Sequence, residues 1–412
     1  MIWLSLAFLF LVIFAFSRKF VQGNAVLFWF FLLLKLACAL GVGWLYANYY
    51  QYQGDTFVFF EQAANWFKAF QEGSINFLQW IGLAVTDSNV LTGEPRTRQF
   101  VIWMSWLYPL SGGDYNLLAI WLTSFQVMSM WMLFTELHNR YLIKKWSVLI
   151  PLFLIPSVTF WSAGLLKETV LLGLLSFIFW AYLRFNRGET FKKWGYLLLL
   201  FTGAFLLYQV KYYVVITLLP LGLVSHLFTR STFIQQLNSR TQLMLYGGVL
   251  LIGTALVAYT HPLFYSGKFF EMLKLSHDHI FMRSAEARIY FMAHTDAMWF
   301  FVLNAPLAIV TGLVRPFLWE SWNIFSLLYA TETFVIFLLM AFVVWNWRRV
   351  HLSSTALWWS LAGFIYVVVL ATVITLSTPN FGSLIRFKVA YLPVLVFVLI
   401  QYYYKVKGVR NL

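Results

Sequence analysis

Apolar runs long enough to cross a bilayer recur along the whole of this chain, and nothing else in the sequence narrows its fold so far. A run of about 17–25 apolar residues wound as an α-helix covers a hydrocarbon core of about 30 Å. No water is present there to take up backbone N–H and C=O groups, so only helices and closed barrels survive. The runs are continuous rather than alternating, which excludes a barrel. Composition agrees, with 61% hydrophobic and 11% charged residues, against about 25% charged in soluble domains. The expected fold class is an all-α polytopic membrane protein in a single transmembrane domain. Crossings are expected at about 1–16, 25–47, 115–137, 146–163, 169–185, 194–209, 211–228, 241–260, 324–344, 355–376 and 388–404, about eleven in all. The opening MIWLSLAFLFLVIFAF has no basic leading region and no small-residue cleavage site, so it reads as a retained helix.

Lysine and arginine in short loops orient such a chain. The clusters are Arg18/Lys19, Arg140/Lys144/Lys145, Arg184/Arg187/Lys192/Lys193, Arg230/Arg240, Arg348/Arg349 and Lys405/Lys407/Arg410. With the N-terminus outside, all of them fall on the cytoplasmic side, which accounts for the net charge of +14 without any nucleic acid partner. The expected partner of the apolar surface is a lipid bilayer. Cys38 is the only cysteine, so there is no intrachain disulfide and no cysteine metal site.

Two apolar stretches do not fit as crossings. QFVIWMSWLYPL (99–110) is too short, and AMWFFVLNAPLAIVTGL (297–313) holds Asn304 and Pro306 at its middle. Counting the latter would also move Arg348 and Arg349 outside. Both are expected to be interfacial or re-entrant helices within two large outer loops, 48–114 and 261–323. In the first loop FVFFEQAANWFKAF carries Phe57, Phe60, Ala64, Phe67 and Phe70 at helical spacing. That pattern predicts an amphipathic helix lying in the interface plane.

The outer face collects ionisable groups that topology does not explain. Lys167 and Glu168 fall in a tight turn of PSVTFWSAGLLKE; Asp55, Lys211, Arg315, Glu320, Arg386 and Lys388 join them. Apart from Glu136 and Glu189, every acid lies outside or near an outer helix end. Charges at membrane depth cost about 2.5–3.5 kcal/mol on insertion scales and usually face a partner or a polar cavity. Each also has a plainer reading: a solvated turn for Lys167–Glu168 and for Asp55, a snorkelling Arg315, headgroup anchors in Arg386 and Lys388. Lys35 lies mid-span and receives no role. His261, His277, His279 and His294 share one loop, and HDH raises a divalent cation as a possible cofactor. Against that, neighbouring helical positions do not share a face. Together the charges point to phosphate recognition by cations beside a carboxylate that can take a proton from a hydroxyl.

GDTFVFFEQAANWF, an acid in the first large outer loop ahead of interface helices and many spans, resembles the GT-C superfamily of integral-membrane glycosyltransferases. PSVTFWSAGLLKE and STPNFGSLIRFKVAYLP likewise resemble segments of bacterial membrane proteins of surface-polysaccharide assembly. The resemblance implies a polyprenyl-phosphate sugar donor and a glycan or protein acceptor. It implies Asp55 as general base, assisted by Glu168, and Lys167, Arg315, Arg386 and Lys388 around the donor phosphate, facing the periplasm or exterior. The chain departs from the family in having no second acid adjacent to Asp55 and in the short helix ahead of the acidic loop. A polymerase of lipid-linked polysaccharide repeats fits the same inventory. A transporter or flippase of lipid-linked sugars is the rival of different class, although no internal repeat is visible.

Overall fold

The computed structural model describes residues 2–21, 23–52, 54–83, 95–187, 190–260, 268–284, 287–321, 323–350 and 353–408. Among these the chain is helical almost throughout, and the only β-pairing is an isolated bridge between Arg288 and Asn380. It divides into two compact units, Met1–Tyr212 and Tyr213–Asn411. Among the described residues eight helices are long and apolar enough to cross a membrane, or nine if one bent pair counts as a span, against the eleven or so expected.

The first unit holds α1 (Ile2–Phe20), α2 (Ala25–Asn48), α3 (Asp55–Gln71), α4 (Phe77–Trp80), α5 (Pro95–Ser111) and α6 (Tyr115–Thr135), which runs on as a π turn, Glu136–Arg140. It continues with α7 (Lys145–Leu149, with a π turn Ile150–Leu154), α8 (Pro156–Trp161), α9 (Lys167–Arg187) and the first half of α10 (Thr190–Arg230). The Asp114 side chain caps α6 by accepting from the Leu117 N–H at 2.7 Å, which answers one of the orphan donors every helix start carries. Gly173 lets α9 lie against α6, since a Cβ there would sit 3.3 Å from the Gln126 Cα.

The α6–α9 pair sets the path of the chain. At one end the Thr56 hydroxyl, 2.6 Å from the Tyr115 hydroxyl, donates to the Leu165 carbonyl at 3.0 Å. At the other, Arg184 Nε lies 2.6 Å from Glu136 Oε2. The two helices are therefore parallel, and residues 141–166 between them must travel back across the unit. They do so as a broken helix. Pro151, the π turn and Pro156 interrupt it, because proline lacks the N–H and clashes with the preceding turn. The Thr159 hydroxyl donates to the Phe153 carbonyl at 2.7 Å across the break. The expected crossing at 146–163 is thus one of two short pieces.

Neighbouring helices alternate around this pair. Phe28 meets Trp131 at 5.2 Å and Gly43 of the same α2 lies against Tyr115, so α2 runs antiparallel to α6. The α10 half returns along α9, with Tyr196 on Trp180 at 5.8 Å and Lys211 on Glu168 at 3.1 Å. One end of the unit consequently carries Arg140, Arg184 and Arg187; the other carries α3, Lys167, Glu168 and Lys211. That is the partition the loop charges predict. The crossings expected separately at 194–209 and 211–228 fall on two helical stretches of α10 that meet in a kink at Lys211, at φ −141° and ψ 66°.

The amphipathic reading of α3 is off by one residue. Its buried face is Thr56, Phe59, Ala63, Trp66 and Ala69, packed on α5 through Phe59 and Phe100 at 5.1 Å. The expected stripe is half-buried and covered by other aromatics, Phe57 on Tyr115 at 4.3 Å and Phe70 on Trp80 at 4.5 Å. Aromatic residues on two faces let protein, not lipid alone, enclose the helix. In α5, Phe100–Met104 are buried, so 99–110 is a core element of this end.

The second unit holds the rest of α10, α11 (Thr232–Gln236), α12 (Ser239–Thr260), α13 (Lys268–Arg283), α14 (Ala297–Val314), α15 (Ile324–Trp345), α16 (Ser354–Ser377), α17 (Phe381–Phe387) and α18 (Leu392–Val406). At one end Tyr246 stacks on Trp358 at 4.9 Å, with Ser225 2.9 Å from the Tyr246 hydroxyl. At the other end the chain turns through Thr378–Asn380 and then bends by 62° between Phe381–Ala390 and Leu392–Val406. Residues 297–313, expected to be interfacial or re-entrant, form one continuous helix that also meets the length and composition of a span. Both of its ends nevertheless stay at this second end. Phe300 packs on His277, whose Nδ1 is 2.7 Å from the Leu376 carbonyl, while Gly312 lies against Ala371 and Thr375.

Candidate functional site

Each unit gathers part of the expected charge, and they are best built up separately. In the first, Gly54 at φ 153° starts α3 and places Asp55 at its first position, exposed to solvent. Such a conformation suits glycine, and a Cβ there would also strike the Tyr46 ring at 2.5 Å. A carboxylate in the first turn is favoured by the helix dipole. Thr56 beside it is buried and ties α3 to Tyr115 and Leu165. One turn on, the Phe59 ring lies beneath the Lys167 ammonium at 5.1 Å, and Lys167 donates to Thr97 Oγ1 at 2.7 Å. Positions one turn apart on a helix are surface neighbours. Asp55 and Lys167 are therefore brought to the same corner.

Glu168 has a different situation. It is fully buried, and the Lys211 ammonium donates to its Oε1 at 3.1 Å. The pair joins α9 to the irregular point of α10. Glu168 is thus half of an internal ion pair.

The segment leading into Lys167 is held by a residue to which the sequence assigned nothing. Lys35, completely buried in α2, donates to the Thr159 carbonyl at 3.1 Å, the Ser162 carbonyl at 3.4 Å and the Ser162 hydroxyl at 2.6 Å. These are the carbonyls at the C-terminal end of α8, where a cation meets the negative end of the helix. Gly164, at φ 77°, then donates its N–H to Thr123 Oγ1 at 2.9 Å. No local signal exposes these partners, since Lys35 and Ser162 are 127 residues apart.

In the second unit Arg315, Arg386 and Lys388 are brought to one corner as well. Arg315 is already engaged: its Nε lies 2.9 and 3.1 Å from the two Glu320 oxygens, its NH2 also donates to Glu320, and its guanidinium covers Phe381 at 5.0 Å. Burial alone raises the Glu320 carboxyl, but Arg315 and the Phe317 N–H outweigh it and hold Glu320 below its ordinary value. Lys388 is buried, donates to the Arg315 carbonyl at 2.6 Å and faces the charge of Glu332. Arg386 is buried too. Of the cations expected around a phosphate, Arg315 and Lys388 are thus joined to each other at the bend.

The described histidines of this loop do not assemble into a metal site. His277 is buried against Phe281, Phe291 and Phe300 and bonded to the Leu376 carbonyl, and burial lowers its pKa. Among the described residues no three histidine, cysteine or acidic side chains are grouped to hold a metal ion. His261 and Glu189 lie outside the described residues. Set against family models, curated proteins and solved structures, the chain matches none.

Proposed function

We propose that this chain is a membrane-embedded glycosyltransferase acting on a polyprenyl-phosphate-linked sugar, with its chemistry at the Asp55–Lys167 corner. The observation that carries the reading is the pairing of opposite roles in one region: an exposed carboxylate at a helix start, one turn before the Phe59 ring over which the Lys167 ammonium, bonded to Thr97, lies. The acceptor hydroxyl gives its proton to Asp55 as its oxygen attacks the anomeric carbon. The bond from that carbon to the phosphate oxygen breaks, and the lipid phosphate leaves with the negative charge beside Lys167. One displacement inverts the anomeric configuration. Glu168 is given a positioning role through Lys211, and Arg315, Arg386 and Lys388 hold the second unit's bend. The outer face of the cytoplasmic membrane remains the proposed location.

A second reading has its own support. Helices broken within a span, at 145–161 and at the 62° bend beside buried Lys388, are features of transporters. Mass spectrometry of lipid-linked and surface glycans separates the two. Cells carrying Asp55→Asn, with the protein made and inserted normally, should show a glycan short by one sugar. Complete single repeats with long chains missing would favour the polymerase. An unaltered glycan would remove Asp55 from the chemistry, and lipid-linked sugars stranded on one membrane face would favour transport.

A further inference from the structure

The opposite end of the first unit carries a cluster that the proposed chemistry does not use. Glu136, in the π turn that ends α6, is 1% exposed. Three arginines act on it: Arg184 at 2.6 Å, Arg140 at 3.6 Å, and Arg187 by its charge. Three cations around one sealed carboxylate leave an excess of two positive charges. The C-terminal ends of α6 and α9 also meet here, and their dipoles amount to about −0.5 each. Roughly one positive charge is still unanswered.

The guanidiniums are held in place before any ligand arrives. Arg184 lies over the Trp180 ring at 5.8 Å, and Arg187 over the Tyr141 ring at 4.1 Å while NH1 donates to the Arg140 carbonyl. The Tyr141 hydroxyl is itself fixed on the Leu183 carbonyl at 3.2 Å. Each guanidinium has five N–H donors in a planar fork, so these contacts leave donors on each for a further acceptor. Exposure rises outward, from Glu136 at 1% through Arg184 at 22% to Arg140 at 45%. The carboxylate is the floor of the cluster and the arginines are its rim.

We infer that Arg140, Arg184 and Arg187 form a binding site for the phosphate of an anionic phospholipid headgroup, built on the buried Glu136. The location selects the ligand. α6 and α9 are both apolar spans that end here, so the cluster stands where hydrocarbon gives way to headgroups, and lipid phosphate lies at that level. Arginine pairs with phosphate by two parallel hydrogen bonds, and basic pockets between spans are suited to anionic headgroups. Glu136 and Arg140 lie four residues apart on one helix end and so come to the same side of it. Lys144 and Lys145 follow in the same connection and add to its positive charge.

The test uses the full chain in neutral detergent, delipidated, with lipids counted by native mass spectrometry and thermal unfolding followed in parallel. Phosphatidylglycerol should bind and raise the melting temperature; phosphatidylcholine at equal concentration should not. Arg187→Gln and Arg140→Gln leave the Arg184–Glu136 contact in place, and each should weaken phosphatidylglycerol about fivefold, as expected for about 1 kcal/mol per basic residue. Arg187→Lys should retain more of the binding than Arg187→Gln. Equal protection by inorganic phosphate would overturn the lipid assignment, and an unchanged response in the double variant Arg140→Gln/Arg187→Gln would overturn the site. Neither result bears on Asp55, so the glycosyltransferase reading stands or falls separately.

Discussion

Replacing Glu168 by Gln is the most informative perturbation, because it decides whether this acid serves chemistry or architecture. At 3.1 Å from Lys211 and an effective dielectric of about 20, the attraction is about 5 kcal/mol. Removing one partner of such a buried pair costs about 3–5 kcal/mol, since the remaining charge is stranded. Lys211→Met alone should do the same. The double variant Glu168→Gln/Lys211→Met should recover most of the loss, because an apolar replacement of both ions is nearly neutral. For a unit of about 200 residues each kcal/mol is about 2–4 °C, so single variants should melt on the order of 10 °C lower and the double near wild type. Thermal unfolding of the detergent-solubilised protein reads this directly, and glycan analysis of the same strains reads function. A single variant within about 1 kcal/mol of wild type would mean that the pair is screened by solvent. A stable double variant without product would return Glu168 to the catalytic step.

The remaining predictions concern fold, pH and orientation. Gly312→Ala places a Cβ 2.8 Å from Thr375 Oγ1 and 3.1 Å from the Ala371 carbonyl; the cost should be about 1–3 kcal/mol of stability, read by thermal unfolding. His277 has a folded pKa below its unfolded value, so the unfolded chain takes up the proton first. Its contribution to stability is complete above about pH 6.5 and is lost as pH falls from there through the lower folded value. His277→Asn should flatten the melting temperature between pH 7 and 5. Finally, Lys167→Cys in a Cys38→Ala background should react with an impermeant maleimide from outside intact cells; reaction only after lysis would reverse the topology.

The long spans are legible because hydropathy and helix length are local properties. The expected 25–47, 324–344 and 355–376 meet helices Ala25–Asn48, Ile324–Trp345 and Ser354–Ser377 within a residue or two. Where the sequence misleads, the cause is a partner far away in the chain. YQVKYY contains no glycine or proline, and the irregularity of α10 at Lys211 coincides with a carboxylate 43 residues earlier. Phe57, Phe60 and Phe67 look like a lipid-facing stripe until Tyr115, Tyr108 and Trp80 are seen to cover them. Arg315 looks like a phosphate ligand because its partner Glu320 lies beyond the turn that begins at Pro316. Charged residues announce that they need a partner, not which one they find.

The broken return between α6 and α9 bears on how the protein is made. Lys145–Leu154 and Pro156–Trp161 are each too short to cross a bilayer alone, so a translocating machine has little cause to release them into lipid when they emerge. α2 is by then already placed, carrying Lys35 at mid-depth without the α8 carbonyls that later receive it. Only when α9 arrives parallel to α6 is the intervening chain obliged to lie across the membrane. Biogenesis of the first unit therefore has an order: a buried lysine waits for a segment that enters last, and a nascent chain stopped ahead of α9 should leave Ser162 on the side where it was synthesised.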